Sequence, residues 1–279
     1  MHKIPWWWMA ILVTACVGTS PETTDLPGNA PGPDTFRDTA ADLPSDDPCV
    51  PGPLSVPVPG TWAQVQVREA IVNSPSLQDV HRTYTTLSLW EISVEGSALA
   101  VRSTACAVES DSPESPVKTV IPLALVQSIP PQDLSVAIEA QGNGRRLVQD
   151  RHVEVRGAVL AHPDTDPLPT DPEDPAVVDQ DRDGHPGVTV LLTGLMDGAV
   201  YVVQRIWTQL EGCSTASGEF VGEVLWGEDQ VVLGSDNPVL VMQSVITPVP
   251  GAGRFRMRPV PPGSDCDYLR NHRQEVFGE

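Results

Sequence analysis

Long apolar runs, basic charge and closely spaced cysteines are what this chain of 279 residues has least of. A membrane-spanning helix needs about 20 consecutive apolar residues, and the apolar run at 6–13 is far too short to be one. Lys and Arg number 17 against 37 Asp and Glu, a formal net charge of −20. So acidic a chain is a poor partner for nucleic acid or anionic lipid head groups. No two of the five cysteines lie within a few residues of each other and no His pair accompanies them, which argues against a zinc site. Gly-x-Ser-x-Gly, His-Glu-x-x-His and a Gly-rich phosphate loop before a helix are all missing. His81, His152, His162, His185 and His272 are scattered, and Glu91, Glu95, Glu139, Glu154, Glu219 and Glu223 form no pair that spacing can identify. The expectation is a protein that is not an enzyme, with no catalytic residue assigned. A hydrolase of unknown class is the enzymatic alternative.

What the chain does have begins at its N-terminus. Lys3 precedes the short apolar run, and Val13-Thr14-Ala15-Cys16 closes it. This arrangement resembles the lipobox of bacterial lipoproteins. The resemblance implies that residues 1–15 are a signal peptide, that Cys16 is lipidated, and that the protein reaches the cell envelope on acyl chains worth about 0.8 kcal/mol per buried methylene. Val17 follows where the inner-membrane retention signal of enteric bacteria places Asp, which points to the outer membrane. Export also means an oxidising compartment, in which Cys49, Cys106, Cys213 and Cys266 are expected to form two disulfides. Their three possible pairings stay open.

The acid is concentrated in two Pro-rich stretches. Residues 21–48 hold seven acids against Arg37, and residues 162–184 hold eight against Arg182. Residues 16–53 have almost no large apolar side chains to offset an ordering cost of about 1 to 2 kcal/mol per residue. They read as a disordered tether, with a reach of up to about 100 Å at about 3 Å per residue. Residues 162–187 read as a second acidic linker.

Between and after these stretches come short runs rich in Val, Leu, Ile and Thr, broken by Gly, Pro, Asn and Asp about every ten residues. That texture predicts an all-β fold. In 62–72, Val65, Val67 and Ile71 alternate with Gln64, Gln66 and Arg68. Other expected strands are 84–94, 99–108, 118–127, 153–160, 188–193, 199–210, 219–226, 239–246 and 254–260, with a turn or two of helix only near 268–277. Two regions, 54–161 and 188–279, share a pattern. Tyr84 and Trp90 match Tyr201 and Trp207, Gly96 matches Gly212, and Gln127-Ser128 matches Gln243-Ser244, at an offset of 116 to 117 residues. The expectation is two similar β halves, arising by duplication and forming a sandwich or barrel, joined by the acidic linker.

One constellation carries identifiable chemistry. Asp179, Asp181 and Asp183 alternate, and Gly184 follows them, a spacing that wraps oxygen ligands around a hard cation. It resembles the first half of an EF-hand loop and the loops of thrombospondin type 3 repeats, which implies Ca²⁺ held by Asp179, Asp181, Asp183 and the main-chain carbonyl of His185. It departs from the EF-hand at Val190, where a bidentate Glu would stand. Asp171, Glu173, Asp174 or Asp197 could complete the shell. Lipobox, acidic tether and the Asp-Gly-His-Pro-Gly phrase together resemble uncharacterised lipoproteins of myxobacteria, which implies location and architecture only. Gly60-Thr61-Trp62 resembles the Gly-x-Trp of lipocalins, in which a basic residue of the last strand, here Arg254, Arg256 or Arg258, packs on the Trp. The leading expectation is a non-catalytic binding or structural role in the envelope, stabilised by calcium, with a protein, glycan or small-molecule partner. The alternative is a lipocalin-like carrier of a small apolar ligand. Trp90, Trp207 and Trp226 are expected in the core.

Overall fold

The computed structural model describes residues 51–74, 79–96 and 98–278. Cys16, Cys49 and the first acidic stretch lie outside the described residues. The protein is all-β. Its strands are β1 (Gly60–Asn73), β2 (Val80–Glu95), β3 (Ala98–Asp111), β4 (Val117–Val120), β5 (Gln132–Leu134), β6 (Val136–Gln141), β7 (Gly144–Arg156), β8 (Val188–Gly194), β9 (Gly198–Ser214), β10 (Phe220–Ser235), β11 (Val245–Pro248) and β12 (Arg254–Pro259). Three short helices, α1 (Leu123–Ser128), α2 (Cys266–Asn271) and α3 (Arg273–Phe277), complete the fold with a 3₁₀ turn at Pro238–Leu240.

All pairings are antiparallel, and the strands share one sheet ordered β4-β8-β9-β10-β12-β1-β2-β3-β5 that curls into a half-barrel. β7 continues along β9 where β8 stops and carries β6 on its other edge, while β11 continues along β1 where β12 stops. The early and late parts of the chain meet at β1 and β12, from Trp62 opposite Pro259 to Val67 opposite Arg254. Two long meanders, β1-β2-β3 and β8-β9-β10, lead to a helical turn and a short strand, directly after β10 but only after the intervening β4 in the first case. The order of elements is thus similar without being the same, and the matched side chains do not face alike. Tyr84 and Trp90 point to the concave side, whereas His185 stacks on Tyr201 and the Arg151 guanidinium lies 4.8 Å from the Trp207 ring on the convex side.

The alternation in β1 fills both of its faces. Ala63 and Val65 pack with Leu87, Leu89 and Cys106 beneath Leu269, Val276 and Phe277 of the C-terminal helices. Trp62, Gln64, Gln66, Arg68 and Val72 face the concave side. The helices are fixed by several contacts. The Asp265 side chain caps α2 by accepting from the Tyr268 N–H at 2.8 Å, and a disulfide joins Cys106 of β3 to Cys266. Arg256 and Arg258 donate to the carbonyls of Phe277 and Val276 at 3.0 and 2.7 Å. Trp62 instead packs on Phe220, with ring centroids 5.3 Å apart, and donates its indole N–H to the Val58 carbonyl. Cys213 is also disulfide-bonded.

Three strand expectations need correction. The 118–127 strand ends at Val120 because Pro122 has no N–H for a ladder, and Leu125 and Val126 are buried on α1 instead. The 239–246 strand begins only at Val245. Asn237 caps a turn with Pro238 at its first position, and that turn buries Leu240. The 153–160 strand is the second half of β7, which starts at Gly144, and β6 before it was not anticipated.

Candidate functional site

The acidic loop holds its shape through its own carboxylates. Asp179 accepts the N–H groups of Asp183 and Gly184 at 3.0 and 2.9 Å, and Asp183 accepts that of His185 at 3.0 Å. Asp181 accepts the N–H of Thr189 at the start of β8 at 2.9 Å, and the Thr189 hydroxyl donates to Asp183. Arg182 and Gly184 take the left-handed conformation that so tight a turn requires, at φ of 60° and 89°. Gln180 locks the loop to the body, accepting from the Gly157 N–H at 2.8 Å and donating to the Ser128 carbonyl at 3.3 Å.

One carboxylate oxygen from each of Asp179, Asp181 and Asp183 lies within 4.8 Å of the others, a group that could hold a metal ion. Asp181 Oδ1 has no hydrogen-bond partner among the described residues. Desolvation, with the charges of Asp183 and Asp179 behind it, raises the Asp181 pKa above the usual carboxylate range. The His185 ring is engaged elsewhere, stacked on Tyr201 at 4.1 Å between centroids, so only its carbonyl is left for the loop. Asp171, Asp174 and Asp197 accept backbone N–H groups of their own turns and do not join the triad.

The second locus is the concave side of the half-barrel, which has three zones. Near the start of β1, Trp62, Trp90, Phe220, Phe255 and Met257 form a closed apolar plug. Polar side chains follow. Arg68 is 6 % exposed, donates to the Thr86 hydroxyl at 3.1 Å and lies over the Trp226 and Tyr84 rings at 5.0 and 5.9 Å. Gln204 donates to both Glu228 and Gln230, at 3.0 and 2.9 Å. Burial lowers the Arg68 pKa and raises that of Glu228, each charge opposing the shift of the other. Glu228 is only half-buried by area because one side of it lines a cavity, yet the surrounding protein still desolvates the carboxylate. Burial also pushes the Tyr84 hydroxyl up to about 12.

Beyond this belt lies a cavity of about 120 Å³. Apolar side chains make up most of its lining, Val72, Val190, Val200, Val202, Val232 and Leu240 among them, and Arg82, Tyr84, Thr119, Gln204, Glu228 and Gln230 are among its polar members. A smaller polar chamber of about 90 Å³ lies on the other side of Arg68, lined by β1, β2, β3, β5, β7 and β9. Sequence reasoning found the loop, whose residues are contiguous. It missed the cavity, whose lining comes from most of the sheet. The polar chamber did leave a signal, the set Gln64, Gln66 and Arg68 within β1, too polar for an ordinary core and in fact turned inward.

No known protein family, curated protein or solved structure matches this chain.

Proposed function

We propose that this protein is a lipoprotein of the bacterial outer membrane, anchored through Cys16, whose half-barrel binds a compact apolar molecule without transforming it. The observation that carries the reading is the cavity beyond the Arg68 belt. Apolar side chains from β1, β8, β9 and β10 predominate in its lining and polar ones, Arg82, Gln204 and Glu228 among them, interrupt it, a mixture that suits a small-molecule site. The reading is tested with N-phenyl-1-naphthylamine, a fluorophore that brightens in apolar surroundings. Its emission should rise saturably with the parent protein. Val200→Trp, which places an indole in the cavity from a buried wall position, should abolish the rise while leaving the circular dichroism unchanged. Equal fluorescence from a folded Val200→Trp variant would refute the carrier role.

Calcium on the Asp179-Asp181-Asp183 loop belongs to the same proposal, as a brace between the acidic segment and β8. Extracellular calcium modules bind at about 0.1 to 1 mM. At ten to a hundred times Kd, such a site stabilises by about 1 to 3 kcal/mol. The raised Asp181 pKa fixes the sign for the metal-free loop. Its contribution to stability is full below the ordinary aspartate value and is lost as pH rises through the folded value. Asp181→Asn should therefore melt slightly higher than the parent in chelator at neutral pH, and should no longer respond to calcium. A variant whose melting temperature still climbs with calcium as the parent's does would remove the loop from consideration.

A further inference from the structure

The polar chamber behind Arg68 has more donors than it can use. The donors Gln64 Nε2, Arg68 Nε and Trp90 Nε1 are buried without a hydrogen-bond partner among the described residues, as is His152 Nε2, which donates or accepts according to its tautomer, and all four residues line this chamber. Gln64 and Trp90 are 0 % and 1 % exposed, so bulk water does not serve them. Several acceptors lining the chamber are already engaged. Gln64 Oε1 takes bonds from Gln66 and Ser88 at 2.7 and 3.3 Å, the Thr86 hydroxyl takes one from Arg68, and Glu154 takes one from Arg156. The guanidiniums of Arg68 and Arg156 face the carboxylate of Glu154 in the chamber, and the charge of Glu228 acts on both arginines from the neighbouring cavity. Burial lowers the His152 pKa.

These groups select by chemistry. Two guanidiniums repel a cation. A sugar or alcohol hydroxyl accepts as well as donates, but each one brings an O–H that needs an acceptor of its own. Water brings two such O–H groups. A carboxylate accepts only, carries one negative charge, and presents two oxygens in a plane that suits the edge of a guanidinium. The geometry points to a binding site for a small monocarboxylate in this chamber, with Arg68, whose charge Glu228 shares, as its ionised donor and Gln64 and Trp90 as neutral donors. The chamber lies under the join at which β5 runs through Ser135 into β6, the strand that pairs with β7. This site does not depend on what occupies the apolar cavity.

Acetate, added to the purified full chain, is the probe. Calorimetry gives its affinity, and the Trp90 indole ¹H–¹⁵N signal, assigned with Trp90→Phe, reports whether it binds here. Acetate should move that signal saturably. Acetamide, the neutral isostere, should bind about tenfold more weakly, since hydrogen bonds to an ionised acceptor are about twice as strong as neutral ones. Gln64→Glu supplies the chamber with a carboxylate of its own and should abolish acetate binding. If that variant does not fold, Trp90→Phe decides by calorimetry: weakening of several-fold supports the site, and unchanged affinity overturns it. The site is also overturned by acetate binding that leaves the Trp90 signal in place, by equal responses to acetate and acetamide, by full binding in a folded Gln64→Glu variant, or by no saturable binding into the high millimolar range.

Discussion

Replacing Cys106 and Cys266 together by Ala is expected to cost about 3 to 5 kcal/mol of stability and to lower the melting temperature by roughly 10 °C. The bridge spans a sequence separation of 160 residues, and a cross-link over so long a loop removes a large share of the freedom of the unfolded chain. Its position adds a second effect. Cys266 begins α2, and α2 and α3 together cover Ala63, Val65, Leu87 and Leu89 on the convex face. Without the bridge the helices keep their other contacts. Arg270 donates to the Cys106 carbonyl at 2.9 Å, Arg273 pairs with Glu109 at 2.8 Å, and Arg256 and Arg258 hold the last carbonyls. The variant should therefore fold, with the C-terminal segment as its first region to open and the most rapid in amide hydrogen exchange. Thermal unfolding of parent and variant under the same oxidising conditions gives the shift. A change of only a degree or two would mean that the arginines, and not the bridge, hold the helices.

How far the molecule could be read from its residues depended on distance along the chain. The acidic loop was legible because Asp179, Asp181, Asp183 and Gly184 are neighbours, and the turn that gathers them follows from their own side chains accepting their own N–H groups. Long strands with clear alternation were legible for the same reason. Where the alternation slips, the reading failed. In β7 the register shifts between Gln149 and His152, so Gln149 on one side of the bulge and His152, Glu154 and Arg156 on the other all face the same chamber. A strict period of two would have turned either Gln149 or the other three outward. β1 illustrates a different limit. Its pattern separates an apolar face from a polar one, but the polar face is buried in the half-barrel and the apolar face is covered by helices that come more than 190 residues later. Nothing local distinguishes that arrangement from a strand with one face in water. The apolar cavity joins side chains from Val72 to Ile246, and no spacing rule links residues so far apart.

The largest single-site effect is expected at the polar belt. Arg68→Met should destabilise the protein by about 3 to 5 kcal/mol, the usual cost of removing one partner from a buried charged group. Arg68 is 6 % exposed, and the Glu228 carboxylate that its charge supports is desolvated by the protein around it. Glu228→Gln added to Arg68→Met removes the stranded carboxylate, so the double variant should recover most of the loss, as replacement of both partners of a buried pair often does. The pH dependence follows from the sign of the Glu228 shift. Its folded-state pKa is raised, so its contribution to stability is full below the ordinary glutamate range and is lost as pH rises through the folded value. Arg68 is the first of the charges that oppose this rise. Without it the folded pKa climbs further, and the loss between the two values grows. Arg68→Met should therefore lie close to the parent at about pH 4 and well below it at about pH 8, while the double variant shows little of that slope. Urea unfolding of the three proteins at both pH values separates this account from simple loss of packing on Trp226 and Tyr84. Lost packing would lower single and double variants equally and by the same amount at each pH.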